Sequence, residues 1–294
     1  MDIILLHNGL GNQMSQYAFY LSKKKNGIHT SYICLSNNHN GIELDKVFGV
    51  ECQMGCKKIF LLFILRLLMS NRTGFLIRKV NLLFSKIKIK LITENLDYSF
   101  HPSFLSASPY CLAFWVGGWH HPQYYSEISS QIKEAFTFKR SLLDERNICI
   151  EKRMREPNSV CLHIRRGDYL TGINYELFGK VCNEQYYQKA IDYIEGKLSD
   201  ICYYVFSNDM EWAKKILLGK NAVFVDWNRG EESWKDMYLM SKCSNLIIPN
   251  STFSWWAAWL CEHPVNIVCP KLFVYGDEPV SYTHLRAHET LRHL

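Results

Sequence analysis

Residues 163–169 read His-Ile-Arg-Arg-Gly-Asp-Tyr and follow directly on an apolar run at 160–162. Arg165 and Arg166 set two adjacent guanidinium groups at the end of an expected buried strand, and Gly167 allows a tight turn there. A guanidinium keeps its charge at physiological pH, and its planar fork matches phosphate oxygens. Ligands of open α/β sheets sit beyond the carboxyl ends of the strands. The segment therefore has the chemistry to hold a diphosphate. A plainer account, a surface salt bridge between an arginine and nearby Asp168, stays open on these residues alone.

Three further segments carry polar groups at places where a strand meets a helix. Asn8-Gly9-Leu10-Gly11-Asn12-Gln13 contains two glycines that let the backbone approach a ligand, ahead of a helix N-terminus that attracts anions. Its spacing, with Met14 following, is not a dinucleotide fingerprint. In Phe206-Ser207-Asn208-Asp209, Asp209 suits a helix N-cap, and Asn208 and Asp209 equally suit hydrogen bonds to a base or ribose. Asn250-Ser251-Thr252 precedes Phe253-Ser254-Trp255-Trp256; its hydroxyls and amides suit an anion, or simply an ordinary helix cap with the tryptophans as core. The sequence lacks a P-loop, an Asp-x-Asp pair and a His-Glu-x-x-His. A departing diphosphate would then be neutralised by arginines and amides rather than by a divalent cation.

These segments need elements to hold them. In the C-terminal half, strands are expected near 160–164, 202–206, 222–226, 245–249 and 265–269. Helices are expected between them, at 184–198, 209–218, 233–243 and 252–261. Short apolar strands alternating with helices predict a parallel sheet covered on both faces. The N-terminal half begins likewise, with a strand at 3–6, a glycine-containing turn at 7–11, a helix at 12–25 closed by Asn26-Gly27, and a strand at 30–35. Two basic helical stretches and an aromatic region at 98–125 follow. Trp115, Trp119, Tyr124 and Tyr125 in that region could stack on sugars. Charged residues at 139–157 mark a domain boundary, which gives an N-terminal lobe at 1–155 and a C-terminal lobe at 156–280.

With 294 residues, 48% of them hydrophobic, the chain can build a sizeable core. Its eleven cysteines form no Cys-x-x-Cys pair and most lie in apolar runs, which points to a reducing, cytoplasmic setting rather than a disulfide framework. The first residues read as a buried strand, without the basic n-region of a signal peptide, and the sequons at 71–73 and 250–252 therefore carry no weight. The longest apolar run, 59–69, is interrupted by Arg66 and is shorter than the ~20 residues needed to span a bilayer. Charge is uneven: nine Lys or Arg and no acid lie between Cys52 and Thr93, so the net +6 comes from segment 57–90. That segment suits either two helices with an apolar core face and a solvated basic face, or a surface docked on anionic lipid at the inner face of a membrane. Its aliphatic character between the charges argues against nucleic acid.

The four polar segments, in this order and spacing, resemble the α-1,2-fucosyltransferases of glycosyltransferase family 11. The matching residues are His163 to Tyr169; Gly9-Leu10-Gly11-Asn12-Gln13-Met14 with Gln16-Tyr17-Ala18; Phe206 to Asp209 with Glu211-Trp212; and Asn250-Ser251 with Phe253-Ser254-Trp255-Trp256-Ala257-Ala258-Trp259-Leu260. The resemblance implies an α/β fold of GT-B type, with two Rossmann-like lobes and a cleft between them. It implies metal-independent, inverting transfer from GDP-fucose to the 2-hydroxyl of a terminal galactose in a glycan, with no cofactor beyond the donor. Arg165 and Arg166 would hold the donor phosphates, His163 and Asp209 would line the nucleotide pocket with Asn208, and Ser251 and Thr252 would contact phosphate. Asn12 and Gln13 would lie across the cleft, and Asp168 would act as base or as brace for the arginines. Rival readings are a transferase of another nucleotide-sugar and a non-catalytic glycan- or nucleotide-binding protein. Asn8 stands where the family usually has glycine, Ser15 where it has an aromatic, and Asn208 where a second Asp is common. The tail 281–294, with three His and two Arg, lacks the apolar pattern of a closing element and reads as foreign to the fold.

Overall fold

The computed structural model describes residues 1–36, 38–70, 75–95, 98–275 and 291–293; residues 75–78, 80, 81 and 291–293 are described by backbone alone. The sequon at 71–73 and all of the tail except 291–293 lie outside the described residues. The chain forms two compact α/β units, Met1–Thr137 and Phe138–Leu294, each built on a parallel sheet.

The first unit runs β1 (Asp2–Leu6), α1 (Leu10–Lys25), β2 (Thr30–Cys34), α2 (Leu44–Phe48), α3 (Cys56–Leu68), α4 (Phe75–Lys86), β3 (Ile89–Thr93), β4 (Leu112–Val116) and α5 (Ser129–Ala135). Its strand order is β2-β1-β4-β3, with every pair parallel. All five residues of β1 are buried, because helices cover both faces of such a sheet. Helix α1 begins at Leu10 rather than at 12, since the amides of Asn12 and Gln13 already bond the Gly9 carbonyl at 3.0 and 3.1 Å. Asn8, at φ +64°, explains the family's usual glycine there: the backbone is left-handed, and asparagine is among the few L-residues that tolerate it.

Two strands of this sheet escaped the sequence pattern. β3 alternates with lysines, and β4 lies inside the aromatic region. The aromatics that could have stacked on sugars are core. Trp115, Trp119, Tyr124 and Tyr125 are all buried, and Trp119 stacks on Phe19 with centroids 4.5 Å apart. Glu94 helps to turn the chain inward after β4 by accepting the amides of Gly118 at 2.6 Å and Trp119 at 2.8 Å.

The second unit runs α6 (Glu145–Met154), β5 (Ser159–Ile164), the short α7 (Gly172–Asn174), α8 (Glu184–Glu195), β6 (Cys202–Ser207), α9 (Met210–Ile216), β7 (Ala222–Phe224), α10 (Trp234–Met240), β8 (Asn245–Ile247), α11 (Thr252–Trp259), β9 (Asn266–Cys269) and β10 (Leu291–His293). Its sheet order is β10-β9-β8-β5-β6-β7, again all parallel. From β5 outward this is the doubly wound order in which the strand sequence reverses between the first and fourth strands. That reversal point lies between β5 and β8.

The unit starts earlier than the boundary expected at 155/156, because α6 is tied into it. The amides of Asn147 and Asn228 bond each other in the interior at 2.9 and 3.0 Å, and Asn228 also donates to Asp236 at 2.8 Å. In the tail, Leu291–His293 pairs in parallel with β9, a strand its composition did not suggest. All eleven cysteines are free thiols. Among the described residues no helix is long and apolar enough to cross a membrane.

Candidate functional site

The polar residues of the second unit gather at the reversal point of its sheet. β5 is buried along its whole length. Val160, Leu162 and Ile164 enter one core with Tyr187, Ile191 and Val205. The alternation of a strand therefore turns His163 to the opposite face, where its ring lies 6.0 Å from that of Phe253.

Where β5 ends, the arginines begin, each paired with a carboxylate. Arg165 Nη2 lies 2.9 Å from both oxygens of Asp168. Arg166 Nε donates to Asp209 Oδ2 at 3.0 Å, and its guanidinium lies 4.1 Å above the Trp212 ring. The Arg166 amide donates to Asn208 Oδ1 at 2.8 Å. Asp209 also caps α9, its other oxygen accepting the Trp212 amide at 3.2 Å, while its own amide bonds Ser207 Oγ at 2.9 Å. One carboxylate thus caps α9 with one oxygen and aligns Arg166 with the other.

Gly167 is required by space. A Cβ there would overlap the Asn208 side-chain amide and sit 3.0 Å from its Cγ. Gly167 thus lets Asn208 reach the backbone of Arg166. The turn that follows is fastened to β8's end: the Tyr169 hydroxyl donates to the Asn250 carbonyl at 3.1 Å. Asn250, fully buried, donates through Nδ2 to the carbonyls of Phe178 at 3.1 Å and Phe273 at 2.9 Å. Its bracing role was not legible in sequence, where it stood in a segment suited to a helix cap or an anion and in the family-like motif. Ser251 is the N-cap of α11 and makes no side-chain capping bond, and the N-terminus of this eight-residue helix lies at this end of the sheet.

Of the residues expected to bind a donor, His163, Arg165, Arg166, Asn208, Asp209, Ser251 and Thr252 all lie at the carboxyl ends of β5, β6 and β8, the three central strands. Asn12 and Gln13 belong to the first unit. Gln13 is buried and engaged with backbone: it donates to the carbonyls of Asn8 at 2.6 Å and Gly41 at 2.8 Å and accepts the Glu43 amide at 3.0 Å. That arrangement holds the loop beyond β2.

Burial, and next the positive charge of Arg165, push the His163 imidazole down to about 3. Its Nδ1 has no hydrogen-bond partner among the described residues. In the first unit, burial and then His7 push His120 down to about 3. Both rings are therefore neutral in the folded chain near neutral pH. Unfolded, each takes up a proton near the ordinary histidine value of ~6.5. Between that value and about 3 the unfolded state binds more protons, so stability falls as pH falls. The expected loss approaches ~1.4 kcal/mol per pH unit for each ring. Urea unfolding at about pH 7 and about pH 5 should show a shallower pH dependence for His163→Phe than for the parent. Equal slopes would mean that His163 is not held neutral by the fold.

The chemistry of these groups is that of an anion clamp. Two guanidinium groups aligned by carboxylates, a helix N-terminus and a neutral imidazole lie at this end of the sheet, and among the described residues no group of three or more His, Cys, Asp or Glu is placed to hold a metal ion. A family model described as glycosyl transferase family 11 matches residues 2–273. An α-1,2-colitosyltransferase of Escherichia coli is 30% identical over 295 residues, spanning 96% of each chain. The O-antigen biosynthesis glycosyltransferase WbnK of Escherichia coli is 47% identical over 128 residues, 43% of this chain and 42% of that one. Galactoside α-(1,2)-fucosyltransferase 1 of Saimiri boliviensis boliviensis is 29% identical over 145 residues, 47% of this chain and 40% of the relative. The chain belongs to glycosyl transferase family 11 and is a glycosyltransferase.

Proposed function

We propose that the enzyme transfers L-fucose from GDP-fucose to the 2-hydroxyl of a terminal galactose, with inversion at the anomeric carbon and without a metal ion. The observation that carries this reading is the pair Arg165 and Arg166, each aligned by a carboxylate at the reversal point of a doubly wound sheet. The acceptor hydroxyl attacks C1 of the sugar as the bond from C1 to the β-phosphate oxygen breaks. GDP leaves with the bonding electrons, and the hydroxyl proton passes to solvent or to a base. Negative charge then grows on the β-phosphate, where guanidinium donors and the amides of α11 stabilise it more in the transition state than in the ground state. Both oxygens of Asp168 already face Arg165, which favours the role of brace over that of base.

The α-1,2 linkage and the galactose acceptor rest on the names of the relatives and on the family resemblance. A second reading of the donor has its own support. The relative that matches 96% of the chain is a colitosyltransferase, and colitose is fucose lacking its 3-hydroxyl. A site built to bond that hydroxyl discriminates strongly against a sugar without it, whereas an apolar site discriminates weakly.

The test offers GDP-fucose, GDP-colitose and UDP-sugars to the full chain with a β-galactoside, with and without a chelator, and determines the linkage of any product. Chelator-insensitive formation of an α-1,2-fucosyl galactoside is expected. Preference for GDP-colitose would replace the donor while keeping the clamp, and preference for a UDP-sugar would overturn the nucleotide assignment.

A further inference from the structure

We propose that the outward face of α3 and α4 in the first unit is a docking surface for an anionic lipid bilayer. The sequence allowed a simpler arrangement, with apolar residues inward and lysines outward, and the observed packing differs from it. Leu61, Ile64 and Leu65 of α3 do pack on the sheet with Ile3, Leu5 and Phe114, and Phe84 of α4 joins the same layer. The opposite side of α3 is also apolar. Ile59, Phe60 and Phe63 are 55%, 63% and 57% exposed. At ~100° per residue these three and Arg66 fall on roughly a third of the helix circumference, facing away from the buried trio. α4 repeats the pattern: Leu82 and Leu83 are 58% and 54% exposed and share an arc with Lys79 and Lys86. Both helices cover one face of the sheet, so both outer arcs point away from it.

A helix that is apolar all round is normally covered on every side. The charges around this patch indicate what covers it. Lys57, Arg66, Lys86, Lys88 and Lys90 are exposed, and no Asp or Glu occurs from Cys52 to Thr93. Aromatic and aliphatic side chains that enter the acyl boundary, with lysine and arginine heads at phosphate level, are the pattern of an interfacial helix. A protein partner fits less well, because lysine is depleted from the cores of protein interfaces. A second copy would bring one all-cationic surface against another. Nucleic acid would leave the exposed aliphatic side chains unmatched.

The test uses the full chain with phosphatidylcholine vesicles, with and without ~30% phosphatidylglycerol, in a flotation assay. Flotation with the anionic vesicles alone is expected, weakening at high salt and by roughly fivefold for each of Lys86→Gln and Lys88→Gln. The pair Phe60→Asp and Phe63→Asp should abolish it while leaving transfer to a water-soluble acceptor unchanged. Absence of flotation would overturn the proposal, as would equal flotation of the variants. A concentration-dependent dimer in sedimentation velocity that the Phe60→Asp and Phe63→Asp pair dissolves would assign the patch to a second copy instead.

Discussion

Replacing Arg166 by lysine is expected to lower kcat/KM for the nucleotide-sugar by ~10²–10³-fold, the usual cost of removing one charge-stabilising donor. Arg166 does two things that a lysine cannot do together. Its Nε holds Asp209 at 3.0 Å, and its flat guanidinium rests on Trp212 at 4.1 Å, which leaves the Nη edge directed by both contacts. An ammonium is a point charge on a flexible stem, so it can meet Asp209 or a phosphate but has no fixed geometry for both. If the clamp acts on the charge that develops as GDP leaves, kcat should fall at least as much as KM rises. Steady-state kinetics of Arg166→Lys, with thermal unfolding to show that the fold survives, makes the measurement. Near-normal kcat/KM would remove Arg166 from the reaction.

Asp2→Ala, distant from the site, is expected to cost about 3–5 kcal/mol of stability. Lys23 is fully buried in α1, and its ammonium meets Asp2 at 2.9 Å, the Phe104 carbonyl at 2.6 Å and the Ser106 carbonyl at 3.3 Å. The Trp115 ring lies 3.9 Å from it. Burial lowers the affinity of Lys23 for its proton, and Asp2 works against that. Removing Asp2 leaves a cation in the core with two carbonyls and a ring but no counter-charge. Removing the cation as well should recover part of the loss, so the double variant Asp2→Ala, Lys23→Met should be more stable than Asp2→Ala alone. Urea unfolding of the three proteins decides it. A double variant no better than Asp2→Ala would show that the cost lies in packing rather than in the unpaired charge.

Most of the strand and helix rhythm of the second unit was legible because β5, β8 and β9 are buried along their lengths, and β6 nearly so, and appear as apolar runs, and because its helices carry local caps. Asp209 before α9 and Asn183 before α8 both accept amides of the first turn. The first unit was less legible. β3 is partly exposed and alternates with lysine, and β4 is built from residues that look equally like a sugar-stacking surface. Whether Trp115 and Trp119 meet a ligand or the core depends on what lies above them. Here Phe19, delivered by α1, occupies that space.

The sequence by itself determined the parts of the site: two adjacent guanidinium groups after a strand, a capping carboxylate after another, and a helix N-terminus after a third. These follow from hydrogen-bonding and burial rules that act within a few residues. Only the tertiary structure brought them to one end of one sheet. Arg166 and Asp209 are 43 positions apart and become an ion pair because β5 and β6 are neighbours. Tyr169 reaches Asn250, 81 positions away, because β8 lies on the other side of β5. Strand order is a property of the whole sheet and is written in no local window. The same reason left the outer face of α3 undecided: helical spacing shows that it is apolar, and only the packing of the other face on the sheet leaves Phe60 and Phe63 exposed.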